Sequence, residues 1–126
     1  MRGMALTDHG NMFGTKEFYN YCKKVNSKLR EEGKPDFKPI IGCEMYVARR
    51  RKIDKVKDEG DMSGYHLIVL AKNYTGYKNL IKLVSRSWVD GFYMRPRTDR
   101  EDLEMYHEGL IVCSACIAGE VPRKIL

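Results

Sequence analysis

The chain has 126 residues, of which 43% are hydrophobic and 32% are charged. This length can bury one hydrophobic core, and the composition is typical of a globular protein rather than of a disordered or membrane protein. No apolar run is long enough to cross a bilayer and the first residues do not resemble a signal peptide, so we expect a cytoplasmic protein without a membrane partner. The 23 basic residues exceed the 17 acidic ones by six, which is compatible with nucleic acid binding but does not by itself predict it.

The first part of the chain predicts a strand, a helix and a second strand. An apolar pair at positions 5 and 6 begins a strand that ends near His9. A helix is predicted from Thr15, because apolar residues recur there at helical spacing, and Gly33 ends it. A second strand is predicted over Ile40 to Val47.

The second part continues this alternation. A strand is predicted over Leu67 to Ala71, and apolar residues at helical spacing predict a helix over 77–88. Thr98 and the glutamate three residues later have the capping-box spacing for a short helix. A last strand is predicted over Leu110 to Cys113. Strands that alternate with helices indicate an α/β fold, for which we expect a parallel sheet.

Four potential metal ligands lie within or next to these apolar runs, namely His9, Glu44, His66 and Cys116. A single histidine is more often a structural residue than a ligand. The prediction of a metal site therefore depends on all four residues lying in or next to apolar runs. In α/β folds, functional groups gather at the ends of strands. Imidazole, carboxylate and thiolate groups together favour Zn²⁺ or Mn²⁺.

Five segments resemble, in order, the PHP domain of the bacterial replicative DNA polymerase, the alpha subunit of DNA polymerase III. They are T-D-H-G-N-M-F-G, P-I-I-G-C-E, H-L-I-V-L-A-K-N-Y-T-G-Y-K-N-L, G-F-Y-M-R-P-R-T-D and G-L-I-V-C-S-A-C-I-A-G-E. The resemblance implies part of a distorted β/α barrel of the metallo-hydrolase type. Two segments of the family pattern, an H-x-H strand and a later D-x-H segment, have no counterpart here. We therefore expect residues 1–126 to form one incomplete PHP domain that lacks its first and last segments.

The resemblance also assigns roles to residues. His9 matches the histidine of T-D-H, Glu44 the glutamate of G-x-E, His66 the histidine of H-L-x-x-L-A, and Cys116 the cysteine of S-x-C-x-x-G-E. All four are implied metal ligands, with Zn²⁺ or Mn²⁺ as the cofactor and Asp8 as a group that orients a ligand by hydrogen bonding. The implied chemistry is phosphoester hydrolysis of the 3′ to 5′ exonuclease kind. In family members whose ligands have decayed, the domain instead docks a proofreading subunit.

The implied parent protein is a DNA-directed DNA polymerase, a nucleotidyltransferase whose Mg²⁺ site lies outside this chain. Its implied partners are DNA, the sliding clamp and a proofreading exonuclease, and we expect the 126 residues alone to be inactive. Two alternatives remain: a stand-alone PHP phosphoesterase such as a histidinol-phosphate phosphatase, and a metal-free interaction module. The segments K-N-Y-T-G-Y and G-F-Y-M-R-P-R resemble the polymerase branch.

Two basic segments could contact nucleic acid. Residues 49–61 form a charged loop, which we expect to be mainly a solvated connection. Three arginines near two aromatic residues could bind single strands through phosphate contacts and stacking: Arg95, Arg97 and Arg100. Residues 93–96 are equally typical of a strand edge that proline ends. Among the four cysteines, only Cys116 is predicted to be functional, and the other three are expected to be buried.

Overall fold

The computed structural model describes all 126 residues as a five-stranded sheet with four helices and one short 3₁₀ turn. The strands are β1 (Gly3–His9), β2 (Lys38–Ala48), β3 (Gly64–Ala71), β4 (Arg97–Thr98) and β5 (Leu110–Ser114). The helices are α1 (Thr15–Glu31), α2 (Tyr74–Val89), α3 (Arg100–Tyr106) and α4 (Glu120–Ile125), and the 3₁₀ turn is Lys57–Glu59. These bounds confirm the predicted elements and the α/β class. No helix is both long enough and apolar enough to span a bilayer.

The sheet is mixed rather than parallel. Its order is β1-β2-β3-β5, with β4 beside β2. β1 and β4 run parallel to β2, whereas β3 is antiparallel to both β2 and β5. The expectation of a parallel sheet was wrong because no crossover helix joins β2 to β3. Their connection contains only a loop with a single 3₁₀ turn, so the chain reverses direction.

The hydrophobic core lies between the sheet and α2. Its six buried residues are Cys43, Met45, Val69, Leu80, Leu83 and Val84. Side chains alternate between the two faces of a strand, so the odd-numbered residues of β2 face α2. Glu44 and Tyr46 therefore lie on the opposite face of the sheet. This alternation places the candidate ligand Glu44 away from the core.

Asparagine and aspartate side chains begin α2 and α3. Asn73 accepts a hydrogen bond from the Gly76 backbone nitrogen at 2.9 Å, and Asp99 accepts one from the Asp102 nitrogen at 3.0 Å. The predicted cap of α3, Thr98, is therefore wrong by one residue. Thr98 is fully buried in β4, whereas Asp99 directly precedes the helix and its carboxylate reaches the free amide.

The charged loop 49–61 is anchored to the rest of the fold more firmly than expected. Most of its residues are exposed, but Lys52 is buried and its ammonium lies 2.9 Å from the Asp102 carboxylate. Arg97, which the sequence offered for nucleic acid binding, is completely buried beneath this loop. Its guanidinium donates to the backbone oxygens of Lys52 at 2.7 Å, Asp54 at 3.0 Å, Asp61 at 2.8 Å and Gly91 at 3.1 Å. Arg97 is thus a structural residue, and it is not accessible to DNA.

Candidate metal centre

Three of the four predicted ligands converge on the face of the sheet opposite the hydrophobic core. Ligand atoms of Glu44, His66 and Cys116 all lie within 4.8 Å of one another. The His66 Nδ1 atom is 2.8 Å from Glu44 Oε1 and 3.5 Å from Cys116 Sγ. A carboxylate, an imidazole and a thiol from separate parts of the chain thus meet at one point.

The strand directions explain this meeting. Glu44 lies within β2, His66 is near the amino end of β3, and Cys116 follows the carboxyl end of β5. Because β3 runs antiparallel to β5, its amino end lies beside the carboxyl end of β5. The candidate ligands lie in or beside strands, as the sequence predicted, but the antiparallel direction of β3 was not foreseen.

His9 joins the group through Glu44. It is the last residue of β1 and pairs directly with Glu44 in the parallel β1–β2 register. Its Nδ1 atom contacts Glu44 Oε2, so the carboxylate lies between the imidazoles of His9 and His66. The His9 side chain is 74% exposed, whereas that of Glu44 is 11% exposed. The centre is therefore buried at the carboxylate and open to solvent at His9.

Two residues that the sequence analysis did not single out as part of this centre support it. The Tyr46 ring meets the His66 ring edge-on, with centroids 5.2 Å apart at 76°. Arg95, predicted only as a nucleic-acid contact, places its guanidinium carbon 4.9 Å from the Tyr46 ring centroid. Tyr46 could have been found from the period of a strand, since it lies two residues after Glu44 on the same face. The position of Arg95 has no comparable local signal.

Backbone groups fix the cysteine. The Ala118 nitrogen donates to Cys116 Sγ at 3.4 Å, and the His66 nitrogen donates to the Ala118 oxygen at 3.2 Å. The turn after β5 is thereby tied to β3. An N–H group directed at sulfur suits a ligand that carries negative charge when it binds a metal.

A glycine turn holds His9 in place. Gly10 donates its backbone N–H to the backbone oxygen of Glu44 at 2.8 Å, and the backbone oxygen of Gly10 accepts a hydrogen bond from Trp88 Nε1 at 2.8 Å. Gly10 has a φ of 65°, and a Cβ atom here would lie 2.7 Å from the Pro96 Cγ atom. Both the backbone conformation and the lack of space therefore require glycine.

The remaining predicted site residues lie elsewhere. The Asp8 carboxylate accepts a hydrogen bond from the Gly14 nitrogen at 3.2 Å, next to the start of α1. It faces away from His9 because adjacent residues of a strand point to opposite sides. Arg100 is exposed and pairs with Glu120. Of the three predicted arginines, only Arg95 lies beside the centre.

The other cysteines do not join the centre. Cys22 and Cys43 are buried, as expected, but Cys113 is exposed because β5 lies at the edge of the sheet. Burial raises the pKa of Cys43 to about 12, so it remains a thiol at neutral pH. Its Sγ atom lies 3.4 Å from the Asp8 backbone oxygen.

The donor set fits a transition metal. Zinc sites use histidine nitrogen, cysteine sulfur and carboxylate oxygen, and catalytic ones have three protein ligands with an open position. Glu44, His66 and Cys116 supply one of each type. His9 contacts the same carboxylate from the exposed side.

Comparison with known proteins places the chain in a family. The family model of the PHP domain matches residues 1–126. The chain belongs to the PHP domain family. It is 52% identical over 126 residues to DNA polymerase III subunit alpha of Borreliella burgdorferi. It is 46% identical over 124 residues to the subunit of the same name from Thermus aquaticus, and 46% identical over 123 residues to that from Treponema pallidum.

These relatives are much longer than the chain. The alignments cover 98 to 100% of the PHP-family chain but only 9 to 10% of each relative. The chain therefore spans about a tenth of the length of the polymerase subunits that it matches. The similarity confirms the family resemblance that the five sequence segments carried.

Proposed function

We propose that this chain is part of the PHP domain of a bacterial DNA polymerase III alpha subunit, and that its metal centre serves phosphoester hydrolysis of the 3′ to 5′ exonuclease kind. The observation that carries the proposal is the convergence of Glu44, His66 and Cys116 within 4.8 Å. The polymerase names of the relatives support the identity of the parent protein. They also favour this proposal over a stand-alone phosphatase.

The cofactor that fits this centre is Zn²⁺ or Mn²⁺, with Glu44, His66 and Cys116 as ligands and His9 as a fourth. The thiol of Cys116 favours zinc, because soft sulfur ligands select it. Bound at this position, the metal would supply Lewis acidity for phosphoester hydrolysis.

The protein's own side chains orient the reacting groups. Glu44 holds the imidazoles of His9 and His66 on its two oxygens. Tyr46 restricts the His66 ring by its edge-on contact, and the Arg95 guanidinium lies over the Tyr46 ring. Arg95 is exposed and forms no ion pair, so its guanidinium is free to bind a substrate phosphate next to the centre.

The parent function follows from the same proposal. Nucleotidyl transfer would take place at a Mg²⁺ site outside this chain, and the partners would be DNA, the sliding clamp and a proofreading exonuclease in the cytoplasm. We further propose that the sheet continues into the barrel of the complete domain. A two-metal site needs more ligands than those grouped here, so the 126 residues alone should hydrolyse little substrate.

The test uses the full-length protein that carries this chain, purified without chelator. Elemental analysis should find bound Zn or Mn, and a 3′-labelled single strand should be shortened from its labelled end. Glu44→Gln should lose both metal and hydrolysis while polymerisation persists. Glu104→Gln, an exposed change on α3, should preserve both. Absence of metal from the wild-type protein would favour a metal-free docking module, and full metal occupancy in Glu44→Gln would contradict the assignment of the centre.

A further inference from the structure

A second surface lies at the opposite end of the strands from the metal centre. A cavity of about 540 Å³ opens between α1 and the start of α2, and a neighbouring one of about 690 Å³ runs along α1. Tyr19 and Pro39 line both, so the two cavities adjoin, and together they are called the groove. Ile41, the lining residue nearest to Glu44 in β2, precedes it by three residues, about 10 Å along the strand, and its side chain lies on the other face of the sheet.

The groove is strongly basic. Its lining contains five lysines, and none of them forms an ion pair: Lys16, Lys23, Lys24, Lys38 and Lys72. The only acidic residue in the lining is Asp36, which is neutralised by a hydrogen-bonded pair with Arg30. The lysines therefore leave several uncompensated positive charges along one surface.

Exposed aromatic rings accompany these charges. The Tyr74 side chain is 73% exposed and that of Tyr19 is 48% exposed. The rings of Tyr74 and Tyr77 lie 6.3 Å apart at 30°, next to each other on the first turn of α2. Lysine ammonium groups lie over two of these rings, Lys78 over Tyr74 at 5.1 Å and Lys23 over Tyr19 at 5.9 Å.

We propose that this groove, lined by α1, the start of β2 and the start of α2, binds single-stranded DNA. Unpaired bases stack on exposed aromatic rings while lysines contact the phosphates, and this combination is how proteins hold single strands without sequence preference. A duplex would contact the lysines through its phosphates, but its bases are stacked on one another and could not stack on the tyrosine rings. The choice of DNA over RNA rests on the proposed function, but the groove itself shares no residue with the metal centre.

The experiment measures binding of a fluorescent oligothymidylate of about 16 nucleotides to the full-length protein, with chelator present to prevent cleavage. Tyr74→Ala should weaken binding at least about five-fold, whereas Tyr74→Phe, which keeps the ring, should bind like the wild type. The double change Lys16→Gln with Lys72→Gln should lower the slope of log affinity against log salt by about 1.4, the value for two lost phosphate contacts.

Control positions lie on α1 outside the groove. Tyr21→Ala removes a ring that is 66% exposed, and Lys28→Gln removes an exposed charge, and neither should change affinity or salt slope. Circular dichroism should show that every variant remains folded. Equal losses in the control and groove variants would overturn the proposal in favour of diffuse charge attraction. Unchanged binding in the groove variants would also overturn it, and would leave the metal centre, tested separately by Glu44→Gln, unaffected.

Discussion

Glu44 and His66 contact each other diagonally across β2 and β3. In the backbone register Glu44 pairs with Ile68, and His66 pairs with Tyr46, yet His66 Nδ1 lies 2.8 Å from Glu44 Oε1. Diagonal neighbours on one face of an antiparallel pair can be bridged by long side chains. A slip of one residue would turn one partner to the other face, so the β2–β3 register itself determines whether the candidate centre exists.

The first prediction concerns the sulfur ligand. When the full-length protein is loaded with Co²⁺ in place of Zn²⁺, Cys116 should produce a thiolate-to-metal absorption band in the near ultraviolet, because sulfur would bind the metal directly. Cys116→Ser should abolish this band. Cys113→Ser changes an exposed cysteine of β5 outside the cluster and should preserve it. A band that survives in Cys116→Ser would remove this residue from the ligand set.

The second prediction compares two glycines of similar backbone conformation. Gly10 and Gly33 have φ values of 65° and 67°, but a Cβ atom at Gly33 would meet nothing within 4 Å, whereas at Gly10 it would collide with Pro96. Gly33→Ala should lower the free energy of unfolding by about 1 kcal/mol, because alanine disfavours the left-handed conformation. Gly10→Ala should lower the free energy of unfolding, measured in urea, by more than Gly33→Ala does. It should also weaken metal binding, since it displaces the turn after His9. Equal costs for the two variants would mean that Pro96 moves aside freely.

The third prediction separates a structural arginine from an exposed one. Arg97→Ala should lower the free energy of unfolding by about 3 to 5 kcal/mol, because four backbone carbonyls of the buried network lose their shared donor. Arg95→Ala should change stability by less than about 1 kcal/mol, since this side chain is exposed. Urea denaturation of both variants provides the comparison. A small effect of Arg97→Ala would show that the loop 49–61 does not depend on this anchor.

The fourth prediction concerns acid stability. Hydrogen bonds from Arg50 lower the pKa of Asp61 to about 2, below its value of about 3.9 in an unfolded chain. The ionised carboxylate therefore stabilises the fold fully above about pH 4, and this contribution is lost as the pH falls toward about 2. Asp61→Asn should be less stable than the wild type at neutral pH, and the difference should shrink over that acid range.

Urea midpoints measured at successive pH values test this dependence. Asp58→Asn serves as the control, because Asp58 lies in the same loop but is exposed and forms no ion pair. It should leave the pH profile of the wild type unchanged. A stability difference between Asp61→Asn and the wild type that stays constant from neutral pH to about pH 2 would contradict the role assigned to the Arg50 pair.

The sequence by itself predicted the longer strands and helices and suggested the candidate ligands, but it did not predict β4. The periodicity of α1 and α2, the apolar strands and the family segments around His9 and Cys116 all depend on residues close together in the chain. These signals are short-range, so they can be recognised without knowledge of the tertiary structure. Even the misplaced cap of α3 differs from the observed one by a single position.

Only the tertiary structure decided how these pieces meet. The direction of β3, the diagonal contact between Glu44 and His66, and the burial of Arg97 beneath the loop 49–61 all join residues that are far apart in sequence. Strand register and side-chain burial are set by hydrogen bonds and packing between such distant segments, and no local pattern encodes them. For the same reason, Arg95 could be named from its neighbours in the sequence, but its position over Tyr46, beside the candidate centre, could not.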